Sequence, residues 1–146
     1  MDKGPDPQSQ AETCARAMWE RDATSQGLGM AVERVAPGEA VVTMAVRADM
    51  VNGHDTCHGG FIFLLADSAF AYACNTYDVN TVAASCDISF LKAVHRGERL
   101  SAHARETYRQ GRNGIYDIAV SDHKGAVVAQ FRGKSRTVGG SVIGGK

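Results

Sequence analysis

The chain has 146 residues, a length that suits one domain with a substantial hydrophobic core. Its 16 basic and 16 acidic residues balance, so its charge favours neither nucleic acid nor a membrane surface as the main partner. The four cysteines form no CxxC pair and no spacing typical of a disulfide framework, and the first residues carry no apolar segment like that of a signal peptide. We therefore expect a cytoplasmic protein with reduced thiols.

The first part of the chain predicts a tail, a short helix and a hairpin. Residues 1–10 are polar and contain two prolines, which is typical of a loose tail. The apolar residues within 11–23 predict a short amphipathic helix. Residues 30–36 and 39–47 are rich in β-branched side chains and flank Pro37-Gly38, so they predict an antiparallel hairpin.

A long apolar helix is predicted over residues 58–77. It opens on Gly59-Gly60, and Asp67 is its only acidic residue. A helix at the protein surface has one polar face, and this one has none. Other structure must therefore surround it, and we expect it to form the centre of the core.

Four strands are predicted after this helix, at residues 82–94, 98–109, 115–121 and 126–138. Consecutive strands joined by short turns are typical of antiparallel sheets. The sequence therefore predicts one α+β domain over residues 11–138, in which an antiparallel sheet wraps around one long central helix. Residues 139–146 predict a glycine-rich C-terminal tail.

Two features of the apolar helix can carry chemistry. The backbone N–H groups of Gly59 and Gly60 have no acceptor within the helix and lie at the positive end of its dipole, where an oxygen with negative charge can bind. Asp67 follows eight residues later, and a buried carboxylate is costly unless it is paired or used. Eight residues rise roughly 12 Å along a helix, so only two antiparallel copies bring both features to one atom. An active site here predicts a homodimer with two shared sites.

Several motifs around the helix carry a family resemblance. They are Val51-Asn-Gly-His54, Cys57-His-Gly-Gly60, Leu65-Ala-Asp67, Phe70 to Asn75, Cys86 to Leu91 and Phe131 to Ser135. From about Trp19 to Gly140, the chain resembles the acyl-CoA thioesterases of phenylacetic acid degradation in the hotdog superfamily. The resemblance implies a hotdog fold, dimers that often pair into tetramers, and hydrolysis of phenylacetyl-CoA or ring-hydroxylated phenylacetyl-CoA in aerobic phenylacetate degradation.

The resemblance also implies roles for the residues near the helix. The Gly59 N–H stabilises the oxyanion, with Gly60 beside the substrate, and Asp67 of the partner acts either as general base or as nucleophile. Asn52 orients the water or the carbonyl group, unless it is only a turn residue. His58 either bonds near the reacting group or caps the helix.

The phosphates of CoA need cations at the mouth of the site. We assign this role to Lys92, Arg112 and Arg132, which lie near strand ends or turns. The alternative for each one, and the commoner role of such a residue, is an ordinary solvated charge. No metal or other cofactor is expected. An acyl-CoA hydratase and a non-catalytic acyl-CoA sensor on the same fold are the two alternatives to a thioesterase.

Overall fold

The computed structural model describes residues 3–145, and within them the chain forms three α-helices and six β-strands. The helices are α1 (Pro7–Glu20), α2 (Ala23–Gly27) and α3 (Gly59–Cys74). The strands are β1 (Ala31–Ala36), β2 (Glu39–Ala45), β3 (Thr81–Phe90), β4 (Arg99–Gln110), β5 (Asn113–Ser121) and β6 (Val127–Thr137). A short 3-10 turn, Ala48–Met50, lies in the loop before α3.

The six strands form one antiparallel sheet in the order β1-β2-β4-β5-β6-β3, and α3 packs on its inner face. Phe70 of α3 lies over β6, where a methyl group on Gly133 would come within 2.7 Å of its ring. Phe70 also contacts the rings of Tyr116 and Phe131, which are buried. The predicted arrangement, an antiparallel sheet curled around one apolar helix, is confirmed.

The predicted start of the first helix is wrong. The helix begins at Pro7 rather than at residue 11, because the Asp6 carboxylate accepts a hydrogen bond from the Ser9 N–H and caps it. Proline suits the first helical position, where its missing N–H would have no acceptor. The last four residues of the predicted tail, 1–10, therefore belong to α1, while the first two lie outside the described residues.

The central helix is also shorter than predicted, because it ends at Cys74 rather than at residue 77. The side chain of Asn75 donates to the Ala71 carbonyl at 2.9 Å, and its oxygen accepts the Thr81 N–H at 2.9 Å. These bonds end the helix and attach it directly to the start of β3. β3 in turn ends at Phe90 rather than at residue 94.

The segment predicted as a C-terminal tail, residues 139–146, is docked on the domain over part of its length. Val142 is buried, and the Asp78 carboxylate accepts hydrogen bonds from the Ser141 hydroxyl and the Ile143 N–H, both at 2.8 Å. These contacts hold the segment against the turn that follows α3. The last residue of the chain lies outside the described residues.

One flank of α3 is not covered by the sheet. Leu64, Asp67, Ser68 and Ala71 are only half-buried, although the opposite side of the helix is fully buried. β3 is the edge strand beside this flank. The sheet of one chain therefore curls around the helix without covering this flank.

The open edge of β3 carries apolar side chains. Val82 and Phe90 are 49% and 53% exposed, and Leu91, just after the strand, is 59% exposed. Proteins normally protect the unpaired edge of a sheet with charges, a bulge or a covering element. An apolar edge beside an uncovered helix flank is instead typical of a surface that another chain covers.

Candidate active site

The loop before α3 is held in shape by Asn52. Its side-chain oxygen accepts the backbone N–H groups of His54 and Thr56 at 2.9 and 3.1 Å, and its own backbone N–H donates to the Thr56 carbonyl at 2.9 Å. Asparagine is favoured in such turns because its side chain imitates a backbone acceptor. The carboxamide oxygen is thus occupied, and the NH₂ group of Asn52 is the part that can donate to a ligand.

His58 is the N-cap residue of α3, but its side chain makes no capping hydrogen bond and is exposed. The backbone N–H of His58 donates to the Met50 carbonyl at 2.9 Å, and that of Cys57 donates to the Val94 carbonyl at 2.7 Å. These two bonds fix the first turn of α3 against the preceding loop and the segment after β3. The alternative in which the His58 side chain caps the helix has no support in this geometry.

Gly59 and Gly60 form the first turn of α3, and their N–H groups have no acceptor among residues 3–145. A methyl group on Gly59 would lie 2.8 Å from the ring of Phe90, whereas one on Gly60 would meet nothing within 4 Å. A surface depression of about 500 Å³ lies beside this turn, with Phe90 and Lys92 in its wall. The first turn therefore offers unsatisfied donors to a ligand.

Asp67 lies on the uncovered flank of α3. It makes no hydrogen bond and no ion pair with any described residue, and burial raises the pKa of its carboxyl group. Burial and the nearby charge of Asp67 together raise the pKa of the Cys86 thiol on β3. A half-buried carboxylate without a partner is unfavourable for folding, so its position favours a functional role over a structural one.

Gly59 and Asp67 stay apart within one chain. α3 runs without a break from Gly59 to Cys74, so the two residues are separated by roughly 12 Å along the helix axis. The donors of the first turn and the carboxylate cannot therefore act on the same atom from a single copy of the chain.

Two of the three predicted CoA-binding cations are paired with carboxylates. Lys92 donates to Asp122 at 2.8 Å, and this bond together with backbone donors lowers the pKa of Asp122 to about 2. Arg132 donates to both oxygens of Asp117, at 2.7 and 2.9 Å, on the face of the sheet that points away from α3. Arg112 lies exposed in the turn between β4 and β5, and its side chain makes no hydrogen bond within the described chain.

Sequence reasoning missed Phe90 as a neighbour of the site. Its ring crosses from the end of β3 to the first turn of α3, a contact between residues 31 positions apart. The apolar pattern of the strand does not indicate which residue the Phe90 side chain contacts.

A comparison with protein families identifies the chain. Residues 54–129 match the family model described as the thioesterase superfamily, and this range holds the first turn of α3 and Asp67. The chain belongs to the thioesterase superfamily. Its predicted enzyme class, a thioester hydrolase, and its hotdog fold are thereby confirmed.

Comparison with individual proteins narrows the resemblance to particular members of this superfamily. The chain is 45% identical, over 130 residues, to the acyl-coenzyme A thioesterase PaaI of Escherichia coli strain K12, covering 89% of this chain and 93% of the relative. The solved E. coli PaaI protein from the phenylacetic acid degradation operon has a TM-score of 0.92 at 43% identity, covering 93% of this chain and 99% of that one. A mutant of the phenylacetic acid degradation protein PaaI from Thermus thermophilus has a TM-score of 0.74 at 42% identity, covering 77% and 96%. The predicted resemblance is confirmed.

Between residues 3 and 145, no helix is both long enough and apolar enough to cross a bilayer.

Proposed function

We propose that this thioesterase hydrolyses phenylacetyl-CoA or ring-hydroxylated phenylacetyl-CoA to the free acid and CoA, in aerobic phenylacetate degradation. The observation that carries the proposal is the unpartnered, half-buried carboxylate of Asp67 on the same helix as the unsatisfied N–H groups of Gly59 and Gly60. The acyl group is inferred from the 45% identity to an acyl-coenzyme A thioesterase PaaI. The buried thiols of Cys57 and Cys74 are consistent with our proposal of a cytoplasmic location.

The site is proposed to form between two copies of the chain. A second copy can pair its β3 with the free edge of β3, which would cover the exposed side chains of Val82 and Phe90. Its α3 would then run antiparallel along the uncovered flank, where the small side chains of Ser68 and Ala71 permit close approach. The first turn of one α3 would lie beside Asp67 of the other. Two such dimers form the tetramer that the family resemblance implies.

In the proposed reaction, the thioester oxygen accepts the N–H of Gly59 from one chain, and negative charge grows on it as the carbonyl carbon is attacked. Fixed donors aimed at this oxygen are usually the largest contribution to catalysis. Asp67 of the other chain either removes a proton from the attacking water or attacks the carbon itself. The carbon–sulfur bond then breaks, and CoA leaves as the thiolate, which takes up the proton that the attacking water loses. In the nucleophilic route the acyl group stays on Asp67 as a mixed anhydride, and water hydrolyses this anhydride to release the free acid and restore the carboxylate.

The remaining predicted residues surround this centre. The NH₂ group of Asn52 and the exposed ring of His58 lie in the same loop and first turn as Gly59, so they are proposed to orient the water and the carbonyl group. The Arg112 side chain makes no hydrogen bond within the described chain, so it can bind a CoA phosphate without giving up another partner. Lys92 and Arg132 would have to exchange a carboxylate partner for a phosphate.

We expect the purified protein to release CoA thiol from phenylacetyl-CoA, measured with a chromogenic thiol reagent. Because the chain has free thiols of its own, a blank with enzyme alone is subtracted. Acetyl-CoA, which has the same CoA but no ring, serves as the matched control substrate. Binding of phenylacetyl-CoA without thiol release would instead indicate the sensor, and loss of enoyl absorbance from an enoyl-CoA would indicate the hydratase.

We expect the acid limb of the pH profile of kcat/KM to lie above the ordinary aspartate pKa of about 3.9. Burial raises the pKa of Asp67, and both proposed roles need the carboxylate, so activity falls as the pH drops through this raised value. Initial rates from about pH 4 to about pH 8, corrected for spontaneous hydrolysis, measure it. A profile that is flat down to the acid end of this range would contradict the assignment of Asp67.

A further inference from the structure

The depression beside the first turn of α3 has an apolar wall. Ile62 of α3 lines it together with Phe90, Leu91 and Val94, which lie at the end of β3 and in the segment that follows. Phe90 and Leu91 are both more than half exposed, and large apolar side chains at successive positions are unfavourable in water. An exposed apolar patch of this kind, rimmed by polar groups, typically marks a binding site. The wall is therefore suited to an apolar part of a ligand.

The ring of Phe90 lies next to the proposed oxyanion donor. A methyl group on Gly59 would lie 2.8, 3.1 and 3.3 Å from three carbon atoms at the outer end of this ring. The methyl position is roughly 2.5 Å from the Gly59 nitrogen, since both are bonded to the same Cα, so the ring comes within about 5 Å of that nitrogen. An oxygen that accepts the Gly59 N–H therefore brings the atoms attached to its carbon within reach of the Phe90 ring.

Beyond Phe90 the wall leads to a cation. Leu91 and Lys92 follow directly, and their N–H groups both donate to the Val128 carbonyl, at 2.8 and 3.3 Å, which fixes the path of the segment. The Lys92 ammonium group donates to the Asp122 carboxylate at 2.8 Å, and the lysine side chain is 50% exposed. The depression thus presents a donor for an oxyanion, then an apolar wall, then an exposed cation.

A CoA thioester carries matching groups in the same order. On the sulfur side of its carbonyl group come two methylene groups, then the amides of the arm, and finally the phosphates. The phosphates stay in water because burial of their charge is costly, so the arm has to leave the site along an open surface. None of the described residues that line the depression belongs to the uncovered flank of α3, where Asp67 lies. The depression therefore suits the arm of CoA better than it suits the acyl group.

We propose that Phe90 is a substrate-binding residue whose ring contacts the methylene groups next to the sulfur of CoA, with the arm lying along the depression toward Lys92. The proposal rests on the proposed function, because it needs a CoA thioester whose carbonyl oxygen accepts the Gly59 N–H. A second copy of the chain would approach Phe90 from the free edge of β3, whereas the outer end of the ring points to Gly59 of its own chain. The contact is made with the arm, so it is the same for every acyl group and for free CoA.

The test is calorimetric titration of wild type and Phe90→Ala with free CoA and with S-(2-phenylethyl)-CoA. The second ligand is a thioether that carries a phenyl ring but no carbonyl group, so it cannot be hydrolysed and does not use the oxyanion donor. We expect the Kd of both ligands to rise by the same factor, about four- to fifteenfold, as for loss of contact with one or two methylene groups. The KM for phenylacetyl-CoA should rise similarly while kcat stays within about twofold, because the contact is equal in bound substrate and transition state.

Tyr108→Ala is the matched control. Tyr108 is an aromatic residue of β4, is 50% exposed and lies outside the depression, so its removal should leave both Kd values unchanged. Phe90→Leu keeps an apolar side chain and should raise both Kd values by a smaller common factor. This variant provides the test if alanine at position 90 lowers stability.

Three results would overturn the inference. Weaker binding of the thioether alone would show that Phe90 contacts the acyl group rather than the arm. Unchanged binding of both ligands to Phe90→Ala would remove the contact altogether, and so would a wild-type protein that does not bind CoA. Thiol release from phenylacetyl-CoA is measured on the same samples. If wild type binds CoA through Phe90 but releases no thiol, the proposed function is wrong and the CoA contact stands.

Discussion

Asp67→Asn is expected to lower kcat for phenylacetyl-CoA by roughly 10²–10⁴-fold, the usual contribution of a general base or more. The substitution keeps the shape of the side chain and removes the charge that either proposed role needs. Thiol release at saturating substrate measures the loss. The expected drop is large because no other carboxylate in the described chain lies on the uncovered flank of α3.

The same variant should keep or gain stability. Burial raises the pKa of Asp67, so the folded state favours the neutral acid, and above the raised pKa the carboxylate lowers the free energy of unfolding. A neutral amide removes this penalty, and the midpoint of thermal unfolding at neutral pH should therefore not fall. Lost activity with unchanged or higher stability is the signature of a functional carboxylate.

A matched control is Asp6→Asn. Asp6 is exposed and caps α1, and asparagine is an equally good N-cap, so both activity and stability should stay at wild-type values. If Asp67→Asn keeps more than a tenth of the wild-type kcat, Asp67 is neither the base nor the nucleophile. If it instead unfolds the protein, the carboxylate has a structural partner.

The parts of the site that could be predicted from sequence are those set by local pattern. The apolar run of α3, its Gly59-Gly60 start and the single acid at Asp67 are visible within one short segment, and helix geometry fixes their spacing. The antiparallel sheet followed from short turns between alternating strands. Each of these inferences depends only on residues that are close together in the sequence.

The parts that could not be predicted depend on contacts between distant residues. Lys92 pairs with Asp122 and Arg132 with Asp117, and only strand register brings these side chains together. The apolar pattern of α3 shows that other structure covers the helix, but it does not show which side the chain's own sheet leaves uncovered.

Mixing two inactive variants, Asp67→Ala and Gly59→Pro, is expected to restore about one quarter of the wild-type activity. Each variant alone lacks one half of every shared site. Equal mixing makes half of the dimers mixed, and a mixed dimer has one intact site, with Asp67 from the Gly59→Pro chain and Gly59 from the Asp67→Ala chain. Activity of the mixture after subunit exchange, followed by native mass spectrometry, measures the rescue.

Gly59→Pro suits this experiment because proline is tolerated at the first position of a helix and removes only the N–H group in question. Its ring would press on the outer end of the Phe90 ring, which has to shift. Loss of one oxyanion donor should lower kcat by about 10²–10³-fold, which leaves a background low enough to detect rescue.

The control mixture combines Asp67→Ala with Asp67→Asn, which exchange in the same way but restore no site. If the first mixture exchanges fully and stays at the activity of this control, Gly59 and Asp67 act within one chain or not together. Since α3 holds them roughly 12 Å apart, that result would remove the Gly59 N–H from the oxyanion site and leave Asp67 to act with donors elsewhere. Rescue near one quarter would instead require that the two chains meet along the uncovered flank of α3.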